Sequence, residues 1–97
     1  MFPIAYVLSE NLTNCARGLA AHQVENPKVE VHFGPGAEGE AVLRIANGPY
    51  AAPLDLEGGG AGKQLIAAFV RELRGDMSLS NHEGQVVFEV RFPVDPA

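Results

Sequence analysis

Ile4, Leu8, Leu12, Cys15 and Leu19 recur at steps of four and three, the spacing that lines one side of an α-helix, and they predict a helix over residues 3–22. Glu10, Asn14 and Arg17 keep the same steps two residues out of phase. At about 100° per residue they fall on roughly the opposite side. Pro3 suits a first helical turn, and Asn26-Pro27 ends the segment. Val29, Val31 and Phe33 then alternate with Glu30 and His32, the period of a half-buried strand. Gly34 to Gly39 reads as a turn, and Ala41, Leu43 and Ile45 alternate with Val42 and Arg44 in a second strand, so a hairpin is expected.

Residues 47–61 are rich in Gly, Pro and Ala and carry little periodicity, which predicts a long loop. Leu65, Ile66, Phe69, Val70 and Leu73 predict a second helix over residues 62–74, with Gly75 as its stop. Met77 and Leu79 mark a third strand, Asn81 to Gly84 a turn, and Val86, Phe88, Val90 and Phe92 a fourth strand closed by Pro93. The order α, β, β, loop, α, β, β predicts one domain over residues 1–97. Its fold class is α/β (α+β), a two-layer sandwich of a mixed or antiparallel sheet with both helices on one face.

Composition narrows the chemistry. Seven basic against twelve acidic residues leave a net charge of −5, which excludes nonspecific nucleic-acid binding through clustered Lys and Arg. A single cysteine forms no internal disulfide and points to a reducing, cytoplasmic compartment. No apolar run is long enough to span a membrane, so no membrane contact is expected. Cys15 lies on the apolar stripe and reads as a core residue.

Candidate chemistry sits in two places. Gly58, Gly60 and Gly62 form a glycine-rich loop running into the second helix. Such a loop leaves backbone N–H groups uncovered, and the helix start adds partial positive charge, so an anion such as phosphate is favoured. Lys63 either meets that phosphate or is simply solvated. Glu10, Asn14 and Arg17 form either a ligand-facing helix side or an ordinary solvated one.

Together these stretches resemble the ATP-binding domain of sensor histidine kinases, the Bergerat-type GHKL fold in its HWE-like form. Ser9-Glu10-Asn11-Leu12-Thr13-Asn14-Cys15-Ala16-Arg17 is similar to the family's first-helix motif. Gly58 to Gly75 is similar to its second glycine box with the following helix, and Met77 to Phe92 to its closing strand pair. The resemblance implies ATP and Mg²⁺ as cofactors. Asn14 would hold Mg²⁺, Glu10 would act as base or water orienter, and Arg17, Gly48, Gly58, Gly60, Gly62 and Lys63 would lie around the nucleotide. The resemblance departs at Ala46-Asn47-Gly48-Pro49-Tyr50, where the family has D-x-G-x-G. Ala46 then stands where an aspartate accepts the adenine amino group, and Tyr50 where a second glycine is usual.

His22, His32 and His82 lack the acidic helical setting of a phosphoacceptor, so a complete autokinase is not expected. Two functions follow from the resemblance. One is a phosphotransferase module of bacterial two-component signalling that binds Mg-ATP, with weakened affinity, and serves a histidine on another domain. The other is a degenerate domain of a histidine phosphotransferase or pseudokinase, offering a surface to a response regulator. Either form is compatible with a homodimer.

Overall fold

The computed structural model describes residues 3–54 and 61–94. The expected elements form in the expected order: α1 (Pro3–Ala21), β1 (Lys28–Pro35), β2 (Glu40–Gly48), α2 (Ala61–Glu72), β3 (Asp76–His82) and β4 (Gln85–Pro93). The four strands make one sheet in the order β1-β2-β4-β3, antiparallel at every step. The fold is therefore α+β, with two helices over a four-stranded sheet. Among the described residues no helix is long and apolar enough to cross a membrane.

Strand alternation decides what lies under the helices. Leu43 and Ile45 of β2 and Phe88, Val90 and Phe92 of β4 join Val7 and Cys15 of α1 and Ile66 and Val70 of α2 in one core. The side chains between them in sequence point to the other face. Tyr6 and Phe69 pack ring against ring, 4.7 Å between centroids, and tie the two helices together.

Three expectations need correction. The inward line of α1 is Val7, Asn11 and Cys15, whereas Leu12 is exposed. Asn11 is buried because its Nδ2 donates to the Val7 carbonyl one turn back, at 2.9 Å, which satisfies the amide without solvent. Glu10 and Asn14 therefore flank the buried line instead of facing away from it. Secondly, β1 is not half-buried. It is an edge strand that the helices do not reach, and Val29, Val31 and Phe33 are 42%, 47% and 59% exposed.

Thirdly, Gly75 does not itself turn α2 out of its helix. Arg74 takes the left-handed conformation (φ 59°), with Arg74 N–H donating to Arg71 O and Gly75 N–H to Val70 O. This pairing closes a Schellman motif. Gly75 is needed one residue later, because a Cβ there would sit 2.6 Å from the Arg91 carbonyl oxygen of β4. α1 ends the same way, with Gln23 left-handed, Gln23 N–H on Ala20 O and Val24 N–H on Leu19 O.

Candidate functional site

Below the helices the sheet is not fully covered. A cavity of about 520 Å³ opens between one flank of α1, α2 at Ile66 and the surface of β2, β4 and β3. Its size falls within the roughly 300–1,000 Å³ usual for small-molecule pockets. The floor is apolar, made by Ile45, Val86 and Phe88 with Met77 and Leu79 of β3 at the outer side. Met77 pairs with Val90 and Leu79 with Phe88, so both β3 side chains lie on the helix side of the sheet.

The wall on α1 carries Glu10, Asn14 and Arg17, the three residues singled out from sequence. They spread over about 10 Å of helix at 1.5 Å per residue. Among the described residues neither Glu10 nor Arg17 is held in an ion pair. A carboxylate, an amide and a guanidinium thus border one apolar hollow. Among the described residues no three His, Cys, Asp or Glu side chains cluster as a metal cage.

The inner end is closed by groups that sequence reasoning did not assemble. Asn47, the last inward position of β2, is buried and lines the cavity. Its Nδ2 donates to the Val86 carbonyl at 3.3 Å, and its Oδ1 accepts the Tyr50 hydroxyl. Tyr50 is buried, stands edge-on to His22 at 5.6 Å, and is pinned at its backbone by Tyr50 N–H donating to Gly84 O at 2.7 Å. Gly18 makes room for it, since a Cβ there would lie 3.0 Å from the Tyr50 hydroxyl oxygen. A glycine within a helix costs about 1 kcal/mol against alanine, and that oddity was the signal available in sequence.

Ala46 is buried but points to the opposite face of the sheet, across from Val87, and does not line the cavity. The next residue, Asn47, is the one that lines the cavity. Gly48 does not line the cavity. It packs against the β3–β4 turn, where a Cβ would meet Gly84 O at 2.7 Å. Gly58 and Gly60 lie outside the described residues. Gly62 and Lys63 fall in the first turn of α2.

The stretch after β2 is anchored at Leu54. Asn81 of β3 accepts Leu54 N–H at 3.0 Å through Oδ1 and donates through Nδ2 to Leu54 O at 2.9 Å. This two-bond clamp joins the cavity mouth to the sheet edge. From sequence, Asn81 was only a turn residue.

Among the described residues, Cys15 and Tyr50 are the groups whose ionisation the fold resists. Burial pushes the Cys15 thiol up. Burial also pushes the Tyr50 hydroxyl up, and a Cys15 thiolate nearby would act in the same direction. The thiolate is the reactive form. Folded protein at pH 8 is therefore expected to react with a disulfide reagent at least tenfold more slowly than the same chain in denaturant. Equal rates would show Cys15 to be accessible.

No protein-family model matches the chain, and no curated protein matches it significantly. Among solved structures it is similar to the histidine kinase domain of the blue-light activated histidine kinase EL346 from Erythrobacter litoralis. The TM-score is 0.71 at 12% identity, over 94% of this chain and 43% of that one. The chain thus spans less than half the length of the structure it matches. At this identity the likeness establishes a shared fold and no more: the chain has the α+β fold seen in part of that histidine kinase domain.

Proposed function

We propose that this chain is a nucleotide-binding module of the histidine-kinase type, with affinity lowered by Tyr50, serving a phosphoacceptor histidine or a response regulator on another domain. The observation that carries this reading is the cavity itself. Glu10, Asn14 and Arg17 border a hollow of nucleotide size whose far end holds an amide acceptor.

The residues suit the two ends of a nucleotide unequally. Glu10 and Asn14 offer hard oxygen groups four residues apart, the donor chemistry Mg²⁺ takes alongside water and phosphate. Asn14 would hold the cation and Arg17 would face phosphate charge. When bound, Mg²⁺ would supply charge neutralisation on the phosphates. The apolar floor suits the faces of a base. At the inner end Asn47 Oδ1 is the acceptor for an exocyclic amino group, and the Tyr50 hydroxyl already uses it. A base amino group must displace that bond, which lowers the net gain.

That same bond favours a second reading, in which Tyr50 has closed the site and the domain serves only as a docking surface for a signalling partner. Calorimetry with Mg-ADP and Mg-IDP separates the two. For the nucleotide reading, wild type binds Mg-ADP weakly and Asn14→Ala weakens it further. Tyr50→Phe frees Asn47 and tightens Mg-ADP about fivefold, the worth of roughly 1 kcal/mol of hydrogen bonding. Mg-IDP, which lacks the amino group, gains nothing. Absence of binding by both wild type and a folded Tyr50→Phe variant at millimolar nucleotide leaves the docking reading.

A further inference from the structure

The two edges of the sheet are treated differently. On β3, Met77 and Leu79 line the cavity and Asn81 clamps Leu54. On β1, every residue but Gly34 is exposed, and no described strand pairs with its outer side. β1 is eight residues long, with its only proline at the end. An edge of this kind presents an unpaired row of N–H and C=O groups and is a template for another strand. Its helix-side positions, Val29, Val31 and Phe33, are apolar, and Phe33 is already stacked on Phe92 at 6.2 Å between centroids.

We propose that β1 pairs antiparallel with β1 of a second copy, in the register that sets Val31 opposite Val31, so that two four-stranded sheets become one. Overlap length and side-chain chemistry together select the occupant and the register: centring on Val29 would keep only residues 28–30 of β1 paired, whereas centring on Val31 pairs residues 28–34. With Val31 at the twofold axis, Glu30 of each copy faces His32 of the other, and Val29 faces Phe33. Lys28 faces Gly34, so no like charges meet. Centring on Glu30 would set carboxylate against carboxylate. Centring on His32 would set the two imidazoles together and leave Lys28 beyond the end of the partner strand. Carboxylates directly opposite one another destabilise a strand pair, whereas an imidazole N–H opposite a carboxylate can donate to it. Within one copy Glu30 faces Ala46 and His32 faces Arg44, so Glu30 has no cationic partner across its own rung.

The contact is isologous, as a twofold dimer requires. It brings three apolar side chains from each copy together between the two helix layers. One strand pair of this length sits at the small end of specific interfaces, so a weak, concentration-dependent dimer is expected.

Sedimentation of the 97-residue chain between about 10 μM and about 1 mM tests this. The dimer fraction is expected to rise across that range. Glu30→Lys or His32→Glu alone should weaken the dimer about fivefold, and the two combined in one chain should restore it within about twofold. Val31→Lys, at an exposed position, should abolish the dimer while the circular dichroism spectrum stays that of the wild type. A monomer at every concentration overturns the proposal. So does a dimer that survives Val31→Lys, or a double variant that stays as weak as the singles.

Discussion

Leu43→Ala is expected to lower the unfolding free energy by about 3–4 kcal/mol, within the range for deleting a large aliphatic side chain from a core that cannot collapse around the loss. Leu43 is 1% exposed and lies in the centre of β2, beneath the helices and beside Ile45 and Val90 in the core. Both neighbouring strands fix its backbone, through Phe33 on one side and Val90 on the other. The void therefore stays largely open. A domain of this size has on the order of 5–15 kcal/mol of stability, so the loss is a large share of it. The measurement is urea unfolding followed by far-ultraviolet circular dichroism. A lower midpoint with unchanged slope is the expected result. A shift worth less than about 1 kcal/mol would mean that the helices slide into the space, and that the core is looser than its packing indicates.

Gly48→Ala carries the second large effect, and it reaches the cavity. A Cβ at this position would sit 2.7 Å from the Gly84 carbonyl oxygen and 3.3 Å from the Gln85 Cα, both backbone atoms. The turn cannot yield cheaply. Glu83 and Gly84 both have positive φ, as a two-residue hairpin turn between His82 and Gln85 requires. Gly84 O is also the acceptor that pins Tyr50 N–H. Relieving the clash moves that acceptor, so overpacking and a lost hydrogen bond add to about 2–4 kcal/mol. Gly34→Ala is the control. Its Cβ would meet only the His32 ring, at 3.3 Å, and that side chain is free to move. It is expected to cost under about 1 kcal/mol. Hydrogen exchange gives the local readout: Gly48→Ala should lower protection at the Tyr50 amide more than at core amides of β2. A uniform loss would mean that the turn and Tyr50 are not coupled.

The candidate site was partly legible. Glu10, Asn14 and Arg17 share one helix flank through spacing alone, and the structure places all three on the cavity. Asn47 was hidden by a conflict between two signals in the same residues. The family pattern assigned the acceptor position to Ala46. The alternation of Ala41, Leu43 and Ile45 assigned the next inward position to Asn47, and the pleat of the strand followed the alternation. Tyr50 and Gly18 lie on different elements, and nothing in sequence joins a tyrosine in a Pro- and Ala-rich stretch to a glycine in a helix. Asn81 and Leu54 are likewise 27 residues apart and meet only in the folded chain.

The sequence by itself determined the elements, their order and the fold class, because hydrophobic spacing at 3.6 and 2 residues is a local property that each segment carries alone. Only the tertiary structure decided which faces are used. Burial is a property of neighbours. Asn11 goes inside because the Val7 carbonyl satisfies it, and Val31 stays outside because β1 lies at an edge the helices do not reach. It also decided that Tyr50, held by Gly84, fills the inner end of the cavity and takes the Asn47 acceptor. A hydrogen bond between distant segments depends on distance and angle, and the chain acquires those only when its layers pack.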